Sequence, residues 1–352
     1  MLRGDLPGIR RAPVGFRWRD PGPTTNHARR LASPRPVLAE GARKPMPNKC
    51  DFITLADYNR DEIDHLLDLA KAMKAEVKSG VFEPRLKNKV LGLVFHKPSL
   101  RTRLSFEVGM AQLGGHAVYI TDKEIGFGKR ESIYDIGNVM SRYLDGIMIR
   151  TFDQNDVVQL AKAASIPIIN GLTDQTHPCQ VLSDLLSISE KGIPLDGIKV
   201  AYLGDGNNMV HSWLNACRSY DIDFWFAGPE GYDPNTDLIE SIQTEGRGQA
   251  RITRSAEEAV AGAHVIYTDT WTSMGQEAEA AKRREVFPPY QLNAKLLAKA
   301  DPNAVVMHCL PAHRGEEITD EVMDGPHSIV FDQAENRLHA QKAVLVHAMS
   351  SH

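Results

Sequence analysis

The chain has 352 residues, 42% of them hydrophobic and 24% charged. That is an ordinary composition for a soluble globular protein, and the length suits about two domains. It contains no run of about 18 apolar residues, so no membrane-spanning helix is expected. A net charge of −4 argues against a general binder of nucleic acid or other polyanions. The four cysteines, Cys50, Cys179, Cys217 and Cys309, form no C-x-x-C pair. Zinc-ribbon and thioredoxin-type motifs are thereby excluded, and a reducing compartment is indicated. A chain of this size needs no metal or disulfide to hold its core.

Charge is unevenly spread. Residues 1–45 hold nine Arg and one Lys against Asp5, Asp20 and Glu40, a net +7, which leaves −11 for the remainder. Seven of the 20 prolines lie there too, and the segment has neither a helical nor a strand period. It reads as a disordered or loosely attached extension. One reading is an organellar transit peptide, which would be Arg-rich and acid-poor. The other is a dispensable tail, with Met46 as an alternative start. The corresponding location is the cytoplasm, or an organellar matrix if the extension targets the chain.

Downstream, Asn59 and Glu62 read as a capping box, and Ile63, Leu66, Leu67, Ala70 and Met73 form a helical stripe. A buried strand is expected at 90–95, a helix at 102–113 and a strand at 116–120. A helix carrying Ile133, Ile136, Val139, Met140 and Tyr143 comes next, then strands at 146–149 and 166–169 around a helix at 157–164. A long helix is expected from Pro178 to about Lys191. The pattern then restarts, with strands at 199–203, 223–227, 264–268, 304–308 and 328–331 and a last helix at 334–348. The alternation predicts an α/β chain of two doubly wound parallel-sheet domains joined by a connecting helix. The domains are expected at 46–183 and 184–333. The final helix, 334–352, is expected to return to the first domain.

The stretch Lys97-Pro98-Ser99-Leu100-Arg101-Thr102-Arg103 follows a strand and opens a helix. Free N–H groups and the dipole at a helix N-terminus attract an anion. Ser99 and Thr102 add hydroxyl donors, and the planar fork of Arg101 suits a phosphate. Ser-Leu-Arg-Thr-Arg resembles the S-T-R-T-R carbamoyl-phosphate motif of the aspartate/ornithine carbamoyltransferase family. Leu100 stands where the usual motif has Thr, which removes a hydroxyl and keeps a backbone N–H. His177-Pro178-Cys179-Gln180 is similar to the family's H-P-x-Q. The resemblance implies that His177 polarises the carbamoyl oxygen and Gln180 bonds the carbamoyl amide. Arg150, at a strand end, and Arg337, on the last helix, then fall on further carbamoyl-phosphate ligands.

Three more stretches bear on the acceptor. Gly204-Asp205-Gly206-Asn207-Asn208 is weak as a dinucleotide fingerprint, because the third glycine of G-x-G-x-x-G is missing. It resembles the G-D-G-N-N of the family's ornithine branch, which implies an ornithine contact for Asn208. Asp269-Thr270-Trp271-Thr272-Ser273-Met274-Gly275 is similar to that branch's D-x-W-x-S-M-G loop. There Asp269 would pair with the α-ammonium, and Ser273 with Met274 would hold the α-carboxylate. His308-Cys309-Leu310-Pro311 resembles its H-C-L-P, which places Cys309 and Leu310 at the reacting group.

Across residues 46–352 the resemblance implies transfer of a carbamoyl group from carbamoyl phosphate to the δ-amine of L-ornithine. Arg101, His177, Asp269 and Cys309 would be the catalytic set, with Cys309 a proton acceptor or a positioning group. No metal or organic cofactor is expected. The family further implies a homo-oligomer, a trimer or a multiple of trimers. Another acceptor (N-acetylornithine, putrescine or aspartate) and a non-catalytic subunit of the same fold are the alternatives.

Overall fold

The computed structural model describes residues 49–126 and 130–350. The basic extension 1–45 lies outside the described residues. Among the described residues, nine parallel strands make two sheets. The first runs in the order β2-β1-β3-β4, from β1 (Val90–Phe95), β2 (His116–Thr121), β3 (Gly146–Arg150) and β4 (Ile168–Leu172). The second runs β7-β6-β5-β8-β9. Its strands are β5 (Ile198–Leu203), β6 (Ile222–Ala227), β7 (Gln249–Thr253), β8 (Val265–Thr268) and β9 (Val305–His308). Helices connect successive strands, so each sheet is wound outward in both directions from its first strand. This is the doubly wound α/β arrangement expected from the alternation.

Local chemistry sets the helix starts. The Asn59–Glu62 capping box is present on helix Arg60–Lys78, and all five residues of its predicted stripe are buried. Ser99 caps helix Leu100–Gln112 by accepting the Thr102 N–H. Pro178 occupies the first turn of helix Pro178–Glu190, where its missing N–H costs nothing. That helix is buried from Pro178 to Ile188 and joins the two sheets. One apolar cluster continues through it from Leu91 and Leu93 of β1 to Val200 and Tyr202 of β5. The C-terminal helix, Val330–Met349, packs along it and returns to the first half. There Arg337 reaches Thr102, and Lys342 Nζ donates to Gln112 Oε1 at 3.1 Å.

One expected strand is not formed, and one strand present was not expected. The strand expected at 328–331 reduces to a single bridge between Ser328 and Val306, and Val330 already opens the C-terminal helix. The short apolar run Ile329-Val330-Phe331 suits either state. Ile329, as the residue before the helix, and Val330 in its first turn are buried, and the helix turns Phe331 to solvent. β7 was not anticipated: it is a short edge strand, exposed at Gln249, Arg251 and Ile252, with too few apolar residues to signal itself. No helix among the described residues is long and apolar enough to cross a membrane.

Candidate active site

In an open parallel sheet, the loops diverge where the winding reverses, and the crevice outside the strand C-termini takes the ligand. The reversals lie at β1 and β5. Ser99, Leu100 and Arg101 follow β1, Arg150 ends β3, and His177 and Gln180 follow β4. Asn208 follows β5, Asp269 follows β8, and Cys309 and Leu310 follow β9. With Ser273, Met274 and Arg337, all of them line one cleft of about 1140 Å³. Thr102 alone of the predicted residues does not. It is fully buried, and its hydroxyl oxygen accepts Arg337 Nη2 at 2.9 Å, Arg150 Nη1 at 3.4 Å and Ser99 Oγ at 3.1 Å.

That hydroxyl gathers two guanidinium groups beside the helix N-terminus, and Arg101 joins them. The Nε atoms of Arg101, Arg150 and Arg337 are buried and have no partner among the described residues. Burial, Arg337 and Arg101 draw the Arg150 guanidinium down to about 9, and burial also lowers Arg337. Three cations held together at a positive helix end, with no carboxylate paired to them among the described residues, form a site for a multiply charged anion.

His177 adjoins this cluster. Its backbone N–H donates to Ser212 Oγ at 2.7 Å, which fixes the start of the connecting helix, while its Nδ1 has no partner among the described residues. Burial first, then Arg337, Arg150 and Arg101, push the imidazole well below the usual histidine range. A neutral ring has one N–H to donate and one nitrogen to accept, and carries no charge of its own. Gln180, one turn on, donates from Nε2 to Asp184 Oδ1 at 2.9 Å and keeps an unpartnered Oε1.

Across the cleft, Asp269 and Cys309 meet. Asp269 Oδ1 accepts the Cys309 thiol at 3.0 Å and the Thr270 N–H at 2.8 Å, and Oδ2 accepts Asn207 Nδ2 at 3.0 Å. Burial and the facing Asp269 carboxylate push the Cys309 thiol well above its ordinary range. The sulfur therefore carries its proton. Asn208 Nδ2 donates to Thr173 O at 2.6 Å, bridging the two halves at the rim. In the loop after β8, the Ser273 N–H donates to Gln276 Oε1 at 3.2 Å, and Gly275 sits at φ +95°. Met274 is exposed.

The arrangement is an anion cradle, a neutral imidazole and an amide oxygen facing a carboxylate–thiol pair. Residues 50–190 match the family profile described as aspartate/ornithine carbamoyltransferase, carbamoyl-P binding domain. Residues 196–348 match the Asp/Orn binding domain of the same family. The chain belongs to the aspartate/ornithine carbamoyltransferase family. It is 52% identical over 303 residues to an ornithine carbamoyltransferase of Symbiobacterium thermophilum, covering 85% of this chain and 98% of that one. It is 49% identical over 302 residues to the anabolic ornithine carbamoyltransferase of Pyrococcus furiosus, covering 85% and 96%. A solved ornithine carbamoyltransferase structure from Pyrococcus furiosus superposes with a TM-score of 0.82 at 48% identity, covering 86% and 97%. A mitochondrial one from Coccidioides immitis gives 0.79 at 32% identity, covering 86% and 100%.

Within this carbamoyltransferase cleft, several residues had no role assigned from sequence. Lys97 is buried, pairs with Asp174, and sits 4.2 Å from the centroid of the Phe152 ring. It adjoins the anion turn, which was the available signal. Arg283 bridges Asp205 Oδ2 at 2.9 Å and Trp271 O at 2.8 Å, so one buried cation ties the loop after β5 to the loop after β8. Gly206 allows that first loop to lie against the chain at Asp233–Pro234, where a Cβ would come within 2.2 Å of Pro234 N.

His308 is locked between the Leu310 N–H, donated to its Nδ1 at 2.9 Å, and Glu317 Oε1, 3.0 Å from its Nε2. Asp269, His308 and Cys309 bring three ligand-type atoms within 4.8 Å of one another. Both His308 nitrogens and the thiol are already engaged, so the cluster is a hydrogen-bond network rather than a set of open metal donors.

Proposed function

We propose that this chain transfers the carbamoyl group of carbamoyl phosphate to the δ-amine of L-ornithine, giving L-citrulline and phosphate. The observation that carries the reading is the pairing, in one cleft, of three guanidinium groups that have no counter-charge among the described residues with the Asp269–Cys309 pair opposite. The phosphate lies on Ser99, the Leu100 N–H, Arg101, Arg150 and Arg337, with the Thr102 hydroxyl holding the last two from behind. His177 donates to the carbamoyl oxygen, Gln180 accepts from the carbamoyl amine, and Leu310 packs beside it.

Ornithine's α-ammonium pairs with Asp269, and Asn208, Ser273 and Met274 hold its α-carboxylate. The neutral δ-amine attacks the carbamoyl carbon and a tetrahedral intermediate forms. His177 and Arg150 stabilise its oxyanion. The carbon–oxygen bond to phosphate then breaks, the proton lost by the nitrogen passes to the departing phosphate, and Arg101 and Arg337 take up that group's remaining charge. Of the two roles open for Cys309, the raised thiol supports positioning: it donates to Asp269 and aims that carboxylate.

In this reading residues 46–183 bind carbamoyl phosphate and 184–333 bind ornithine. The protein works as a homo-oligomer, a trimer or a multiple of trimers, in the cytoplasm or, if residues 1–45 target it, in an organellar matrix. An exposed stripe of Leu100, Leu104 and Val108 along one helix supports self-association.

The test is citrulline formation, with kcat/KM compared for L-ornithine, N-acetylornithine and putrescine at saturating carbamoyl phosphate. Ornithine should lead by several orders of magnitude, because a site built on buried polar groups rejects an analogue lacking their partner by up to about 10⁴–10⁵. Equal use of either other acceptor would overturn the ornithine assignment and leave the donor half standing.

A further inference from the structure

Behind the cleft lies a buried polar chain that the mechanism above does not use. Asp184, on the connecting helix, is fully buried. Its Oδ1 accepts Gln180 Nε2 at 2.9 Å and Gln333 Nε2 at 2.7 Å. Gln333, from the C-terminal helix, also donates from Nε2 to Tyr267 Oη at 3.0 Å, and its Oε1 accepts the His308 backbone N–H at 3.0 Å. One carboxylate thus ties together the connecting helix, the C-terminal helix and the end of β9.

Hydrogen-bond logic makes this arrangement directional. A side-chain amide has a donor end and an acceptor end, and the two ends are nearly equal in shape. Nothing steric decides which end of Gln180 faces the ligand. Both amides meet Asp184 at Oδ1, while Oδ2 has no partner among the described residues and is free to carry any proton the carboxyl binds. Ionised or protonated, Oδ1 only accepts, so it draws the NH₂ ends of both glutamines. The Gln333 orientation is confirmed independently, because its other end meets a backbone N–H, which only donates. With its NH₂ end held by Asp184, Gln180 is left with a buried, unpartnered Oε1 in the cleft lining.

We propose that Asp184 is a positioning residue for donor recognition: it orients Gln180 so that an amide oxygen, not an amide NH₂, meets the carbamoyl amine. The same carboxylate, through Gln333, holds the strand end that carries Cys309. This rests on the carbamoyl-transfer reading. A flipped Gln180 would set NH₂ against NH₂, losing an acceptor and adding a repulsive contact. Selection for the amine is thus imposed from a residue that does not touch the ligand.

Acetyl phosphate is the discriminating probe. It keeps the phosphate and the carbonyl and replaces the amine by a methyl group. Asp184→Leu in the full chain should weaken carbamoyl phosphate, read as KM in citrulline formation, by roughly tenfold, the worth of one buried hydrogen bond. The inhibition constant of acetyl phosphate against carbamoyl phosphate should change less than threefold. Asp184→Ser removes the same acceptor with no new apolar bulk, and serves if the leucine variant does not fold. Asp184→Asn keeps an oxygen for both amides and should restore the preference for carbamoyl phosphate.

An equal loss of both ligands in the leucine or serine variant would mark Asp184 as merely structural and overturn the proposal. So would an unchanged preference. If the wild-type chain forms no citrulline, the carbamoyl-transfer reading fails and takes this proposal with it. Citrulline formation by the wild type together with an equal loss of both ligands overturns the proposal alone.

Discussion

The Cys309 thiol donates to Asp269 Oδ1 across 3.0 Å, joining the C-terminal ends of the adjacent strands β9 and β8. The two residues are 40 positions apart in sequence, and only the parallel pairing of their strands makes them neighbours. The bond has a chemical consequence. A carboxylate facing a thiol in a buried place keeps the proton on sulfur, so the pair offers the acceptor a fixed negative oxygen rather than a thiolate base.

Replacing Cys309 should therefore affect turnover more than donor binding. Cys309→Ser keeps a donor to Asp269 and should retain more kcat than Cys309→Ala, with the KM for carbamoyl phosphate little changed in either. Steady-state kinetics over pH 6–9 check this. Full kcat in the alanine variant would show that the thiol has no part in the reaction.

Arg101→Ala should cripple use of carbamoyl phosphate while the protein stays folded. Truncating one partner of a buried, hydrogen-bonded charge pair costs roughly 2–5 kcal/mol, or about 30- to several-thousand-fold. The comparison is kcat/KM beside a thermal melt. Activity within threefold of wild type would remove Arg101 from the anion site.

Arg283→Leu should destabilise the chain and disturb the acceptor side together. Breaking a buried ion pair from one end leaves Asp205 uncompensated, at a cost of about 3–5 kcal/mol, and frees the Trp271 carbonyl. Denaturant unfolding should register the loss, and the KM for ornithine should rise more than that for carbamoyl phosphate. A stability change below about 1 kcal/mol, the range of exposed pairs, would mean the pair is screened by water.

Asp184 predicts a pH effect on stability. Burial raises its carboxyl from 3.8 to about 7, against the lowering pull of Gln180, Gln333, Tyr267 and Arg337. The native state therefore holds this proton more tightly than the unfolded chain. The stabilisation from the protonated form is complete below about 3.8 and is lost as pH rises through about 7. Asp184→Asn lacks the ionisation, so its melting temperature relative to wild type should climb between pH 4 and pH 8. Ligand-free thermal melts across that range give the difference, and parallel curves would contradict the assigned burial cost.

Much of this protein is legible from its residues in order. The Asn59–Glu62 cap, the stripe through Met73 and the apolar runs of β1, β3, β5 and β8 are short-range signals, set by a helical or strand period within a few neighbours. The anion turn at Ser99–Arg103 is equally local, since a strand, a cap and a helix N-terminus lie within one stretch. Periodicity pointed to a strand at 328–331, where the chain instead makes one bridge and opens a helix at Val330, and it gave no sign of the polar edge strand β7. Those outcomes depended on what each segment packs against.

What only the tertiary structure decided is the polarity of the site. Sequence order separates Thr102 from Arg337 by 235 positions and Asp184 from Gln333 by 149. It says nothing of the Thr102 hydroxyl holding two guanidinium groups, or of which end of Gln180 faces the cleft. Hydrogen-bond direction is a property of pairs, and the partners here lie on helices and strands brought together by the return of the C-terminal helix. A residue's type fixes what it can donate or accept; its neighbours in space fix which of those it does.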